Sequence, residues 1–310
     1  MSEKTNHILE DFLLLFNGKM RGHLTQYCYV DLHESDGVYN ELVQYAPYYP
    51  TREEPKLIES IIREKADFFG DVERVYELGP GDDNIIQKKT LPLLSWLAPK
   101  EYIAIDFNEA AAEVAARYVE SSMPIRCAHV VQDILKQPIK FKSDGRNLLL
   151  MLGVTIGNFV DHALDSMLKN LYSSMNDGDV ALISVDTCHD LEKVTNAYHN
   201  TYLHRLCGNI LSVLDTYFNP KGFDKFAFQP AYKWDAEKSI AMIGVKSEQN
   251  QSFELLDKPC HISEGQELYM IQSRKFSPGK YKEIFASYGF SNIKDYSTQN
   301  IDIKFIILQK

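Results

Sequence analysis

The chain has 310 residues, with 45% apolar and 25% charged, a size of about two domains and a balance that excludes a disordered protein. Asp and Glu number 43 against 33 Lys and Arg, a net charge of −10, which excludes the basic surface that non-specific nucleic-acid binding needs. No stretch approaches the ~20 consecutive apolar residues of a membrane span, and Cys28, Cys127, Cys188, Cys207 and Cys260 form no CxxC pair, so a reduced, cytoplasmic protein is expected rather than a secreted, disulfide-built or zinc-bound one.

The first 50 residues are aromatic-rich and show no clear period. From Glu53 to Phe69, the apolar positions Leu57, Ile58, Ile61, Ile62, Ala66 and Phe69 recur at helical spacing. Thr51 is the candidate N-cap. Glu53 and Glu54 then fall in the first turn, where negative charge suits the helix dipole.

Strands and helices alternate from there. A strand over 75–78 runs into Gly79-Pro80-Gly81, and a helix is expected over 85–97. A second strand, 102–105, ends in Asp106 and precedes an Ala-rich helix over 109–120. A third, 125–131, is closed by Asp133. A fourth, 147–152, is apolar on both faces, as a central parallel strand must be. A helix over 163–175 and a fifth strand over 180–185, ending in Asp186, complete the run.

After residue 190 the alternation breaks. Residues 191–214 read as one helix, 239–245 and 268–273 as strands, 281–288 as a helix, and 301–308 as a closing strand. The expected architecture is α/β: a Rossmann-like doubly wound sheet from residues 1–190 and 274–310, interrupted by an inserted α+β lid over 191–273.

Four constellations carry chemistry. Glu77-Leu78-Gly79-Pro80-Gly81 puts glycines at the first strand-to-helix turn, where backbone can approach a ligand, but the third glycine of the dinucleotide fingerprint is missing. Asp106 follows by 25 residues; a carboxylate there can bind ribose hydroxyls or cap the next helix. Asp133 stands where a base would lie, and can also cap a loop. Leu152-Gly153-Val154-Thr155-Ile156-Gly157-Asn158-Phe159 follows the central strand with two glycines, a hydroxyl and a carboxamide that both donates and accepts. The histidines His129, His162, His189, His199 and His204 lack ligand spacing, so no metal is expected.

The glycine turn with its two strand-end acids resembles class I S-adenosylmethionine-dependent methyltransferases. The 152–159 string resembles, more narrowly, the histidine Nα-methyltransferase family of the ergothioneine pathway. Tyr48-Tyr49-Pro50-Thr51-Arg52, Ala197-Tyr198, Ala231-Tyr232-Lys233-Trp234, Ile240-Ala241-Met242 and Ser273-Arg274-Lys275-Phe276 extend that resemblance along the chain.

The resemblance implies S-adenosylmethionine as cofactor, on Glu77, Gly79, Gly81, Asp106 and Asp133. It implies that Asn158 and Tyr198 hold the backbone of a substrate amino acid, with Gly153 and Thr155 near its amine and Tyr48 closing over its carboxylate. Tyr29 and Tyr39 correspond to family aromatics near the substrate side chain, and Met242 belongs to the matching strand region. The lid is then the substrate domain. One departure matters: the family reads the imidazole with a glutamate and a serine two residues apart, and here Ser273 is kept while Ile271 replaces the glutamate. Isoleucine cannot accept from an imidazole N–H, which would lose about 1–3 kcal/mol.

The expected function is N-methylation of an amino-acid α-amine. The alternatives are a more apolar or aromatic amino acid or another amine as acceptor, and a non-catalytic S-adenosylmethionine-binding protein.

Overall fold

The computed structural model describes residues 3–19, 24–29, 36–64, 68–277 and 279–310. The N-terminal part forms α1 (Glu3–Phe16), a 3-10 turn (Leu24–Tyr29) and α2 (Asp36–Gln44). Helix α3 follows as Pro50–Arg63. It starts and stops earlier than the apolar spacing predicts. Tyr49 takes the cap position and Pro50 the first turn, where a missing N–H costs nothing, so Thr51 lies inside the helix. Phe69 lies beyond the helix end, and Ala66 falls outside the described residues.

Strand β1 (Arg74–Leu78) leads through α4 (Asp83–Ile85), a wider π turn (Ile86–Thr90) and α5 (Leu91–Leu97) to β2 (Glu101–Asp106). One plain helix was expected over 85–97; Pro92 has no N–H to offer residue 88, and the backbone widens just before it. Then come α6 (Glu109–Ser122), β3 (Arg126–Val131), β4 (Asn147–Met151), a 3-10 turn (Thr155–Asn158), α7 (Asp161–Ser174) and β5 (Val180–Asp186).

The single helix expected over 191–214 is two, α8 (Leu191–Tyr198) and α9 (Thr201–Tyr217). Asn200 divides them: its side chain accepts from the Leu203 N–H at 3.0 Å and donates to the Ala197 carbonyl at 2.7 Å. Strands β6 (Phe228–Asp235), β7 (Ile240–Ser247), β8 (Gln251–Leu255), β9 (Lys258–Ile262) and β10 (Glu267–Arg274) follow. The chain closes with α10 (Lys280–Ser287), β11 (Asn292–Tyr296) and β12 (Ile303–Gln309).

Two compact units divide the chain. The first holds Tyr49–Gly157, Asp161–Cys188 and Phe276–Lys310; the second holds Met1–Tyr48, Asn158–Val160 and His189–Lys275. Residues 1–48 thus group with the insertion, not with the sheet to which the sequence reading assigned them. The reason is packing: α1 lies on β9 and β10, while α2 and the Leu24–Tyr29 turn lie on α9.

Within the first unit, the described residues form a seven-stranded sheet in the order β11-β12-β5-β4-β1-β2-β3. Strands β1 to β5 are parallel, and β12 runs antiparallel to β5 and β11. Every residue of β1, β4 and β5 is buried, as their mainly apolar sequences suit, and the few polar residues among them are buried with the rest. Strand order reverses between β1 and β4, so a crevice opens at their carboxyl ends. The second unit carries an antiparallel sheet, β10-β7-β6, and the hairpin β8-β9.

Among the described residues, no helix is long and apolar enough to cross a membrane. No three His, Cys, Asp or Glu side chains among them gather as a metal site. All five cysteines are free thiols.

Candidate active site

In the sheet unit the sequence candidates converge on the carboxyl edge. Gly79 and Gly81 leave β1 with φ of +63° and +81°, a backbone that side-chain-bearing residues rarely adopt. Open space stands where a Gly79 side chain would be, and a Cβ on Gly81 would press Ile85 at 3.2 Å. Asp82 caps the following helix through the Ile85 N–H.

Asp106 ends β2. Its Oδ1 accepts from the Asn108 N–H at 2.8 Å, and burial raises its carboxyl above the usual range. The helix cap that Asp106 could have supplied comes from Asn108, which accepts from the Ala110 N–H. Asp133 Oδ1 accepts from the Leu135 N–H at 2.9 Å. The Asp106 carboxylate also takes a backbone hydrogen bond from Phe107, and Asp133 Oδ2 has none among the described residues. Glycine backbone and two carboxylates therefore line the β1 side of the β1–β4 switch point, at or just past the ends of β1, β2 and β3.

The loop after β4 is held from several sides. Gly153 (φ +73°) and Val154 (φ +51°) are consecutive left-handed residues, and for a β-branched valine that conformation is strained. The Gly153 N–H donates to Glu54 Oε1 at 2.7 Å, and the Val154 N–H to Ser184 Oγ at 2.9 Å. Thr155 Oγ1 donates to the Leu152 carbonyl at 2.8 Å. Glu54, 1% exposed, pairs through Oε2 with Lys89, 2% exposed, from the π turn. Neither was a sequence candidate. The signal was present: Glu54 lies three, four and seven residues before Leu57, Ile58 and Ile61, a charge on the apolar stripe of α3.

Glu77 is also turned inward. Its carboxyl accepts from Tyr102 Oη at 2.7 Å and from Thr90 Oγ1 at 2.9 and 3.0 Å, and burial pushes its pKa up to about 7 against those bonds. A carboxyl raised this way stabilises the fold while protonated and withdraws that stability as pH rises from about 4 to about 7. The loss is on the order of 3 kcal/mol. Urea unfolding at pH 5 and pH 8 is therefore expected to show a smaller pH penalty for Glu77→Gln than for the natural chain; parallel pH dependence would contradict it.

The second unit holds the other candidates. Tyr198 is 3% exposed at the end of α8. Lys275 Nζ sits 3.8 Å over its ring and donates to Ser273 Oγ at 2.8 Å, and Ser273 donates to Tyr198 Oη at 3.1 Å. The ring of Tyr48 meets that of Tyr198 edge-on at 5.6 Å. The ammonium polarises the serine hydroxyl and through it the phenol, strengthening the phenol as a donor. Asn158 is half-buried, and its carboxamide has no hydrogen bond among the described residues.

Strand β10 places Ser273 opposite Ala241, Ile271 opposite Ile243, and Gln272 opposite Met242. Met242 therefore stands on the other sheet face from Ile271 and Ser273. Gln272, 1% exposed and not a sequence candidate, donates to the Phe159 carbonyl at 2.7 Å. Tyr39 is half-buried in α2. Tyr29 ends the Leu24–Tyr29 turn, and its side chain lies outside the described residues.

Residues 25–310 match the family described as histidine-specific, S-adenosylmethionine-dependent methyltransferases. The chain belongs to this family. It is similar to the N-methyltransferase imqF of Aspergillus flavus, 24% identical over 84% of this chain and 74% of that protein. It is similar to histidine N-alpha-methyltransferase of Mycolicibacterium smegmatis, 25% identical over 78% of this chain and 76% of that one. A third relative is the 4-dimethylallyltryptophan N-methyltransferase ifgB of Penicillium roqueforti, 23% identical over 85% and 83%. The protein is an S-adenosylmethionine-dependent N-methyltransferase. The glycine backbone and the carboxylates of Asp106 and Asp133, each bonded within the described residues by backbone alone, fit that cofactor's ribose diol and exocyclic amine.

Proposed function

We propose that this histidine-family N-methyltransferase methylates the α-amine of a free amino acid. The observation that carries the reading is the relay Lys275–Ser273–Tyr198 in a unit that also offers the unclaimed carboxamide of Asn158. A phenol that accepts from Ser273 is polarised as a donor, the role this reading gives it toward a substrate carboxylate. Asn158 can donate to the carboxylate or accept from the amine.

Gly79 and Gly81 admit the cofactor close to backbone, Asp106 accepts from its ribose hydroxyls, and Asp133 from its adenine amine. When bound, S-adenosylmethionine supplies a methyl group already activated on a sulfonium. The protein's remaining task is alignment and exclusion of water. An α-amine has pKa near 8, so a useful fraction is neutral at physiological pH and no strong base is needed. Thr155 spends its proton on the Leu152 carbonyl, which leaves its oxygen as an acceptor for an amine N–H.

A second reading concerns the side chain. Ile271 offers no acceptor, and Ser273 gives its proton to Tyr198. Both favour an apolar or aromatic side chain over imidazole. Relatives named for histidine and for 4-dimethylallyltryptophan support the idea that this pocket is respecified within the family. The test is calorimetric titration of amino acids into the S-adenosylhomocysteine complex. Binding of tryptophan or another apolar amino acid, at least about tenfold tighter than histidine, is expected. Tighter histidine binding would return the imidazole reading, and no amino-acid binding would remove both.

A further inference from the structure

The buried pair of Glu54 and Lys89 takes no part in the chemistry above, and neither does Ser184. Burying an ion pair is costly, and an apolar pair of similar size is often at least as stable. The placement of these groups suggests another use. Glu54 from α3 and Ser184 from β5 take the N–H groups of two successive residues, Gly153 and Val154. Those residues adopt left-handed backbone that persists only when its surroundings over-determine it.

A trans peptide points its N–H and C=O in opposite directions. The peptide that donates to Glu54 therefore aims the Leu152 carbonyl away from Glu54, and that carbonyl takes the Thr155 hydroxyl proton. The peptide that donates to Ser184 aims the Gly153 carbonyl away from β5. Each anchor thus sets one acceptor: Glu54 the oxygen of Thr155, Ser184 the carbonyl of Gly153. Lys89 holds the Glu54 carboxylate in place.

We propose that Glu54 and Ser184 are positioning residues that orient two hydrogen-bond acceptors, Thr155 Oγ1 and the Gly153 carbonyl, for the N–H groups of the methyl-accepting amine. This rests on the reading of residues 153–155 as the amine site. Two acceptors in a fixed pair match the two N–H groups of a neutral primary amine and turn its lone pair toward the transferred group; a secondary amine would use one of them.

The test compares two double variants matched in charge. Glu54→Gln with Lys89→Met keeps an oxygen for the Gly153 N–H; Glu54→Leu with Lys89→Met removes it. Kinetics use S-adenosylmethionine with the amino acid that the natural chain accepts. The glutamine pair is expected to keep at least ~10 times the kcat of the leucine pair, with matching KM. S-Adenosylhomocysteine affinity, by calorimetry, is expected to agree within about twofold between them. Equal kcat in the two would overturn the proposal. Should neither pair fold, Ser184→Ala decides: a fall in kcat of at least ~10-fold at unchanged S-adenosylhomocysteine affinity supports it, and a natural kcat overturns it. If the natural chain accepts no amino acid, the α-amine reading fails by itself. Hydrogen exchange of a peptide covering 152–159 then judges the anchors. Faster exchange in the leucine pair than in the glutamine pair supports them, and equal exchange overturns them.

Discussion

Replacing Asp106 by alanine is expected to weaken S-adenosylhomocysteine binding by ~100-fold or more. The proposed contact is a carboxylate accepting from ribose hydroxyls, and each hydrogen bond to a charged group contributes about 1.5–3 kcal/mol. Backbone N–H groups of Phe107 and Asn108 hold this carboxylate, and its remaining acceptor capacity would take the ribose hydroxyls. Asp106→Asn keeps an acceptor and loses the charge, and a smaller loss is expected. Burial raises this carboxyl above its usual pKa, so affinity is expected to fall as pH drops toward the acid range, sooner than for an exposed aspartate. Calorimetric titration across pH with both variants checks this. An alanine variant that binds within about threefold of the natural chain would remove Asp106 from the cofactor site.

Tyr198→Phe is expected to lower kcat/KM for the amino-acid substrate by about 10- to 150-fold, the range that one hydrogen bond to a charged group spans. The variant keeps the ring beneath Lys275 and removes the phenol that accepts from Ser273. Substrate loses its donor, and the buried Ser273 hydroxyl loses its acceptor. The loss is expected in binding of the α-carboxylate, so the decarboxylated amine of the same substrate should be affected far less. Kinetics with both acceptors separate the two. An equal loss for acid and amine would show that the phenol does not read the carboxylate.

Much of this architecture is legible in the residues. The central parallel strands announce themselves as mainly apolar segments that lead into a glycine or end in an aspartate, because strands buried on both faces can carry little else. Strand β6 was not legible. It is an edge strand, mostly exposed or half-buried, with no clean alternation of buried and exposed positions, and Pro230 within it argues against a strand by local rules. Strand β11 was missed for a similar reason, since its sequence NIKDY is short, charged and on the sheet edge. The hairpin β8-β9 did carry a period of two, with Gln251, Phe253 and Leu255 buried and Ser252 and Glu254 exposed. Its turn hid it: Leu256 and Asp257 both take left-handed backbone, and leucine does not advertise that conformation.

The site divides in the same way. Gly79, Gly81, Asp106, Asp133 and the 152–159 string stand at strand ends, where position alone marks them. Lys275 and Gln272 act through partners distant in sequence, Tyr198 and the Phe159 carbonyl, and no local pattern encodes such pairs. Glu54 is intermediate. A glutamate on the buried stripe of an amphipathic helix was visible, but its partner Lys89 depends on a π turn that periodicity does not reveal.

Methyl transfer to an α-amine is tested most directly with S-adenosylmethionine carrying a deuterated methyl group. The purified protein is incubated with that cofactor and an equimolar mixture of amino acids, and the products are fragmented in a mass spectrometer. The expected result is one amino acid, apolar or aromatic, labelled on its α-nitrogen. Label on a side-chain atom, or no labelled amino acid from a protein that binds S-adenosylhomocysteine, would contradict it.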